Sequence, residues 1–247
     1  MMITVPDLVR YFGVHPKGVL HVGAHKAEEA DDYANHNWGN VIWVEMLPEK
    51  YAALKTRFEN DPANTVINAA CWDIDGVKLP IFRADNGQSS SLMTPTEHLV
   101  SHPDVKFSKE TQDISTSRLD TLLPASARFD FINFDIQGAE LRALRGLGKR
   151  LADVKWAYLE VNTKRLYDDC PLVSEIDEFM APEGFTRVVT RMWGTSGWGD
   201  ALYVNTRQMS AADLLALKAK TAAYNMRSPW LIKRLNRWKA ANQKKPT

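Results

Sequence analysis

The segment His21-Val22-Gly23-Ala24-His25-Lys26-Ala27-Glu28-Glu29 ends a short apolar run in a glycine and opens an acidic stretch of helix-compatible composition. Small residues at such a turn let the backbone approach a ligand closely. The unpaired N–H groups of the following helix favour a phosphate or a carboxylate. Glu45, about twenty residues on, ends the apolar run Asn40–Glu45, a place from which an acid can accept both hydroxyls of a bound ribose. A tight turn alone would explain Gly23, but the pairing of glycine and acid points to a nucleoside-bearing ligand.

Both a dinucleotide and S-adenosylmethionine (SAM) carry such a nucleoside. The dinucleotide fingerprint G-x-G-x-x-G needs two more glycines, and the positions after Gly23 read His25 and then Lys26 onward. The bulky pyrophosphate would meet side chains there, whereas the methionine portion of SAM tolerates the turn. SAM is therefore the expected cofactor, with an NAD(P)-dependent oxidoreductase as the alternative.

Asp135 ends a third apolar run, Phe129–Asp135, and Glu160 and Asn162 end a fourth, Val154–Val161 with its next residue. In open α/β sheets ligands bind outside the carboxyl ends of the strands, at the switch point between oppositely wound neighbours. A carboxylate at Asp135 can complement a sulfonium, contact an ammonium, take a proton from an acceptor or bind a metal; it can also simply cap the helix that follows. His25, beside the turn, is a candidate base. Trp198-Gly199-Asp200 precedes the last strand and can line the same rim.

These residues need elements to hold them. Gly18–Gly23, Asn40–Glu45, Asn64–Ala70, Phe129–Asp135 and Val154–Val161 read as strands, near-continuous apolar runs of the kind buried on both faces of a parallel sheet. Lys26–Asn37, Glu49–Glu59 after Pro48, Gly138–Leu147 and Leu172–Met180 read as the helices between them. Phe185–Thr190 and Ala201–Asn205 can close the sheet. The turn signal Asp75-Gly76 predicts a hairpin insertion, with a polar loop over Asn86–Pro103. The expected fold is α/β: a doubly wound, mostly parallel seven-stranded sheet with helices on both faces and an antiparallel last strand.

The residues His21–Glu29, the strand ending Trp43-Val44-Glu45, the segment Gln88-Ser89-Ser90-Ser91-Leu92, the lead-in Ser117–Leu122 and above all Asp135-Ile136-Gln137-Gly138-Ala139-Glu140 resemble the FkbM family of SAM-dependent methyltransferases. The resemblance runs from about Gly18 to Asn205. Two positions depart from it, His21 and Gln137, where many members carry an acid and Glu. The resemblance implies a Rossmann-like methyltransferase sheet in which Gly23, Ala24, His25, Glu28 and Glu45 hold SAM, with Met46, Ala70 and Cys71 near the adenine. It implies that Asp135 faces the reacting methyl; His25, by its place beside the turn, and Glu160, by its place at a strand end, are further catalytic candidates. Ser90, Gln137, Glu140, Asn162, Trp198 and Asp200 are expected on the acceptor side. The acceptor would be a small molecule or glycan, methylated on a hydroxyl.

Composition sets the remaining limits. The 247 residues, 45% hydrophobic and 25% charged, suffice for one large domain, expected over 1–209 with an insertion near 71–116. From Ser210 to Thr247 nine Lys or Arg stand against Asp213, so this segment carries +8 and the rest −7 of a net +1. An acidic body argues against gripping a phosphate backbone. Residues 210–247 are expected to form a basic helical extension, with Ser228-Pro229 starting a helix that presents Trp230, Leu231, Leu235 and Trp238 among basic residues. That helix can meet an anionic membrane surface, which would make the chain a non-catalytic adaptor if the site were inert, or it can pack on the domain or on a second subunit of a homo-oligomer. Cys71 and Cys170 are expected as reduced thiols, and no stretch reaches the ~20 apolar residues of a membrane span. The expected location is the cytoplasm, with peripheral membrane contact through the tail.

Overall fold

The computed structural model describes residues 1–226, so the tail helix expected at Ser228 and its tryptophans lie outside the described residues. The chain opens with α1 (Val5–Phe12), whose start is capped by Thr4 Oγ1 accepting the Asp7 amide and whose end is turned by a left-handed Gly13. Then come β1 (Gly18–Val22), α2 (Ala30–Asn35), β2 (Asn40–Glu45), α3 (Pro48–Arg57), β3 (Asn64–Asn68), β4 (Ala70–Cys71), β5 (Lys78–Ile81), α4 (Glu97–Ser101), β6 (Gln112–Ser117) and α5 (Leu119–Leu122). The second half follows as β7 (Phe131–Phe134), α6 (Glu140–Gly146), β8 (Trp156–Asn162), α7 (Val173–Met180), β9 (Phe185–Met192), β10 (Trp198–Asn205) and α8 (Ala211–Met226).

The main sheet has seven strands in the order β3-β2-β1-β7-β8-β10-β9. β3, β2, β1, β7 and β8 are parallel, and β10 runs antiparallel to both β8 and β9. The order reverses between β1 and β7, which puts the switch point at the ends of these two strands. Alternate residues feed opposite layers: Leu20, Val22, Ile42 and Val44 join one buried core with α6 and α7, while Val19, Val41 and Trp43 join another with α1, α2 and α8. Helices therefore cover both faces, as the apolar runs required.

Four local expectations are corrected. The helix expected from Lys26 begins only at Ala30, because His25 and Ala27 are left-handed (φ 48° and 53°), a conformation that interrupts a right-handed helix. The third strand divides: β3 leaves the large sheet at Asn68, opposite Glu45, and Ala70–Cys71 joins β6 in a second sheet. The Asp75-Gly76 turn links β4 to β5 without pairing them, since the small sheet runs β4-β6-β5 and both strands bond to β6 between them. The loop expected over Asn86–Pro103 also contains the short helix α4.

The described part of the basic segment is α8, packed on α1 through Tyr224, whose ring centroid lies 5.3 Å from that of Tyr11 and 5.1 Å from that of Phe12. Among the described residues no helix is long and apolar enough to cross a membrane.

Candidate functional site

A cavity of about 610 Å³ opens at the carboxyl ends of β1, β2, β7 and β8, bounded on one side by the segment 86–92. Its floor begins with the turn after β1. The amides of Gly23 and Ala24 donate to the Val44 carbonyl at 2.9 and 3.1 Å, fastening the turn to β2. Gly23 has φ 87°, and a Cβ there would lie 1.9 Å from the carbonyl oxygen of Asp135. Its glycine is thus demanded by the close approach of the β1 and β7 ends, a reason that the ligand-contact reading of the turn did not include.

Glu45 is buried beneath the turn, with Oε2 accepting the His25 amide and Oε1 the Leu47 amide, each at 2.8 Å. Burial raises its carboxyl above the ordinary value and these two N–H groups oppose the rise. The left-handed turn is held from outside by Arg57, whose Nη1 donates to the Lys26 and Ala27 carbonyls at 2.5 and 2.9 Å. His25 turns its Nδ1 to Glu28 Oε1 at 2.6 Å. Against the upward push of burial, this bond and the Lys26 amide hold Glu28 below the ordinary carboxylate range. Met46, Ala70 and Cys71 line the same part of the cavity, and burial pushes the Cys71 thiol up to about 12, so it is a packed wall and not a nucleophile.

Opposite stands a cluster of acids. Asp135 faces the open cavity, and its Oδ1 accepts from Gln137 Nε2 at 2.8 Å. The same nitrogen donates to Glu160 Oε2 at 2.9 Å, so one primary amide joins both carboxylates. Gln137 is itself left-handed (φ 55°), its Oε1 accepts from the Tyr167 hydroxyl at 3.0 Å, and its carbonyl accepts from Ser91 Oγ at 2.8 Å. Burial, with Asp135, Glu140 and Asp200 adding charge, holds the Glu160 carboxyl well above its ordinary value. Asp135 is raised too, by enclosure within the protein and by Asp200. Burial and the neighbouring acids thus favour the protonated form of Glu160 and leave the negative charge to Asp135.

Asp200, also on the cavity wall, accepts the Met2 amide at 2.6 Å and the Tyr158 hydroxyl, and burial raises its carboxyl. Ser90, Gln137, Trp198 and Asp200 all lie on the cavity. Glu140 and Asn162, expected on the acceptor side, do not line it. Glu140 is fully buried and accepts the amides of Ile136 (2.9 Å) and Gly138 (3.1 Å), taking the capping work that could have fallen to Asp135. Burial pushes its carboxyl up to about 7. Asn162 is a buried strand residue paired with Trp198.

The sequence reading missed Lys50, Tyr167, His98, His102 and Trp193. Lys50 Nζ donates to the Gly87 carbonyl at 2.6 Å and Tyr167 to that of Ser89 at 3.1 Å, so both moor the segment that borders the cavity. His98, His102 and Trp193 also line the cavity. Among the described residues no group of three or more His, Cys, Asp or Glu is arranged to hold a metal ion.

A seven-stranded, mostly parallel sheet with a reversed strand in its second half and a cavity at its switch point defines a Rossmann-like α/β protein of the methyltransferase type. The family model of the methyltransferase FkbM domain matches residues 21–187, and the chain belongs to that family. This decides between the two enzymatic readings that the glycine turn allowed.

Solved structures similar to the chain include a protein of the NADB-Rossmann superfamily from Streptococcus agalactiae, 14% identical over 98% of this chain and 86% of that one, with a TM-score of 0.49. A ribosomal protein L11 methylase from Lactobacillus delbrueckii subsp. bulgaricus is 12% identical over 83% and 75%, with a TM-score of 0.44. Magnesium protoporphyrin IX methyltransferase from Synechocystis PCC 6803, with bound SAM, is 12% identical over 76% and 69%, with a TM-score of 0.43. No curated protein matches the sequence.

Proposed function

We propose that the protein is a SAM-dependent O-methyltransferase acting on a hydroxyl of a small acceptor of the sugar or secondary-metabolite class. The observation that carries this reading is the facing of two carboxylates across the Gly23 turn: Glu45, held by two backbone amides, and Asp135, held by Gln137. The cavity falls within the ~300–1,000 Å³ typical of small-molecule sites, room enough for a nucleoside-bearing cofactor with an acceptor beside it.

The residues fit SAM. Glu45 spends one lone pair of each oxygen on a backbone amide, and a carboxylate has about four such sites, so two remain for a pair of ribose hydroxyls. Met46, Ala70 and Cys71 supply an apolar wall for the adenine, and Gly23, Ala24 and His25 border the amino-acid portion. When bound, SAM supplies an electrophilic methyl carbon on a sulfonium. The chain's own residues do the rest. Gln137 fixes the Asp135 carboxylate in one orientation, Glu160 in its protonated form keeps the negative charge on Asp135, and Asp135 accepts the proton that the acceptor hydroxyl must lose. A placed base of this kind contributes typically ~10²–10⁴-fold. His25, bonded to Glu28, positions that acid at the turn.

Isothermal titration with SAM, NAD and NADP side by side tests the cofactor, and only SAM should bind. In Asp135→Asn the amide keeps the shape but cannot take a proton, so turnover should fall by at least ~10²-fold while SAM affinity changes little. Wild-type turnover in this variant would remove Asp135 from the mechanism.

A further inference from the structure

The sheet carries a polar row on the face that packs against α1. Register sets His21 beside Asn133 and Asn133 beside Tyr158; Glu160, two residues on, stands beside Asp200, so these five side chains leave the same face. The start of the chain crosses this row: the Met2 amide donates to Asp200 Oδ2 at 2.6 Å and the Ile3 amide to the Tyr158 hydroxyl at 3.0 Å. Between the row and Met1 lies a chamber of about 20 Å³ that adjoins the large cavity. Asn133 and Tyr158 border the chamber alone, whereas His21, Glu29, Asp135, Glu160 and Asp200 border both spaces.

His21 is 3% exposed, and its ring packs on Trp43 with centroids 4.8 Å apart. All of its side-chain hydrogen bonds are made by Nδ1. Among the described residues, the buried side-chain nitrogens and oxygens that are both unbonded and sealed off are Trp38 Nε1, Asp73 Oδ1, His98 Nδ1 and Thr221 Oγ1. His21 Nε2 is unbonded but is not one of them, so it keeps surface in the spaces that the ring borders.

The neighbours of Nδ1 fix which nitrogen holds the proton. The Tyr33 hydroxyl accepts from the Asn133 amide at 3.0 Å, which leaves its own proton for His21 Nδ1 at 3.3 Å; the Asn133 amide, which can only donate, is 3.4 Å from the same nitrogen. Nδ1 therefore accepts. Burial lowers the imidazole below its ordinary value and keeps the ring neutral, so its one proton sits on Nε2. A buried N–H without an acceptor is costly, and this one borders a chamber walled by carboxylates, which only accept. A cation there would meet the N–H, and among the described residues no group of acids and histidines is arranged to hold a metal. Water answers both sides: it accepts from the N–H and donates twice to carboxylates. The chamber exceeds the ~10–15 Å³ that one water needs.

We propose that this chamber is a binding site for one resident water, which accepts the His21 Nε2 proton and donates to Asp135 and to a second acid of the wall. The water gives Asp135 a hold besides Gln137 and makes His21 a positioning residue for it. The role of Asp135 as base rests on the methyltransferase reading above; the water does not.

The test uses the full chain without added ligand. A high-resolution crystal structure should show one density peak within about 2.7–3.2 Å of His21 Nε2 and of an Asp135 oxygen, and crystals grown in rubidium chloride should show no anomalous signal at that peak. Long-range ¹⁵N NMR should find the His21 proton on Nε2. Asp135 titrates among Glu29, Glu140, Glu160, Asp200, His21 and the Met1 amino group, so its own carboxyl ¹³C signal is followed. His21→Phe, which keeps a ring against Trp43 but has no N–H, should raise the Asp135 midpoint by about half a unit or more. His21→Gln, whose amide nitrogen can stand at the place of Nε2, should restore most of it, and near-UV circular dichroism reports that each variant folds. The proposal is overturned if the peak is missing, if it scatters as rubidium, if the proton is on Nδ1, or if a folded His21→Phe leaves the midpoint unmoved. If His21→Phe does not fold, the wild-type crystal and the ¹⁵N spectrum decide alone. Failure to bind SAM would overturn the methyltransferase reading and leave the water standing.

Discussion

Replacing Glu160 by Gln tests the crowding of carboxylates through stability, independently of any substrate. Glu160 is 7% exposed, and its Oε2 takes one proton of the Gln137 amide while Asp135 takes the other. Burial first, and then Asp135, Glu140 and Asp200, hold its carboxyl well above the 4.5 at which it would otherwise ionise. Above that pH the unfolded chain has released a proton that the folded protein still holds. The unfolded state then binds fewer protons, so stability falls as pH rises, by about 1.4 kcal/mol per unit, until the folded carboxyl itself ionises. Glutamine copies the protonated acid in shape, keeps a carbonyl for Gln137, offers an N–H to Asp135 and titrates nowhere. Glu140, pushed up to about 7, adds a decline of the same sign between 4.5 and 7, but it does so in both proteins and largely cancels from their difference. The stability of Glu160→Gln relative to wild type should therefore grow as pH rises above 4.5, by up to about 1.4 kcal/mol per unit, tenfold in the folding constant, until the folded Glu160 carboxyl ionises. Urea unfolding followed by tryptophan fluorescence at half-unit steps measures it. Parallel stability lines for the two proteins would refute the protonated Glu160.

Two further outcomes follow from the site's geometry. Glu45→Ala removes the acceptor of two backbone amides and the proposed ribose contact, so titration should show SAM affinity falling at least about tenfold, given the ~1.5–3 kcal/mol of a charge-assisted hydrogen bond; an unchanged dissociation constant would place the cofactor elsewhere. Gly23→Ala forces a Cβ to 1.9 Å from the Asp135 carbonyl at φ 87°, and should cost about 3 kcal/mol or more of stability in denaturant melts. A well-folded Gly23→Ala with the wild-type midpoint would contradict the close approach of β1 and β7.

The parallel strands were legible because burial on both faces writes them as continuous apolar runs, and Gly23, Glu45 and Asp135 were legible because strand ends at a switch point face a ligand whatever the details. What escaped depends on partners distant in sequence. The left-handed backbone at His25 and Ala27 is maintained by Arg57, some thirty residues later, and no local propensity announces it. Lys50 and Tyr167 act by bonding carbonyls of a segment whose composition reads only as polar loop. The pairing of β6 between β4 and β5 likewise sits in an aperiodic stretch where a turn signal suggested a simpler hairpin. α1 is different: Thr4, Pro6 and Gly13 are an ordinary start and stop, present in the sequence and passed over.

The position of β10 bears on how the molecule is made. It lies between β8 and β9, yet it is synthesised after both. Until residues 198–205 leave the ribosome, the apolar β8 has one open edge and β9 has no place in the sheet. A nascent chain halted before Trp198 would therefore display an unpaired hydrophobic strand, a template for association with other chains. The strand that closes this edge also delivers Asp200, so the acidic wall is completed only as the hydrophobic layers seal.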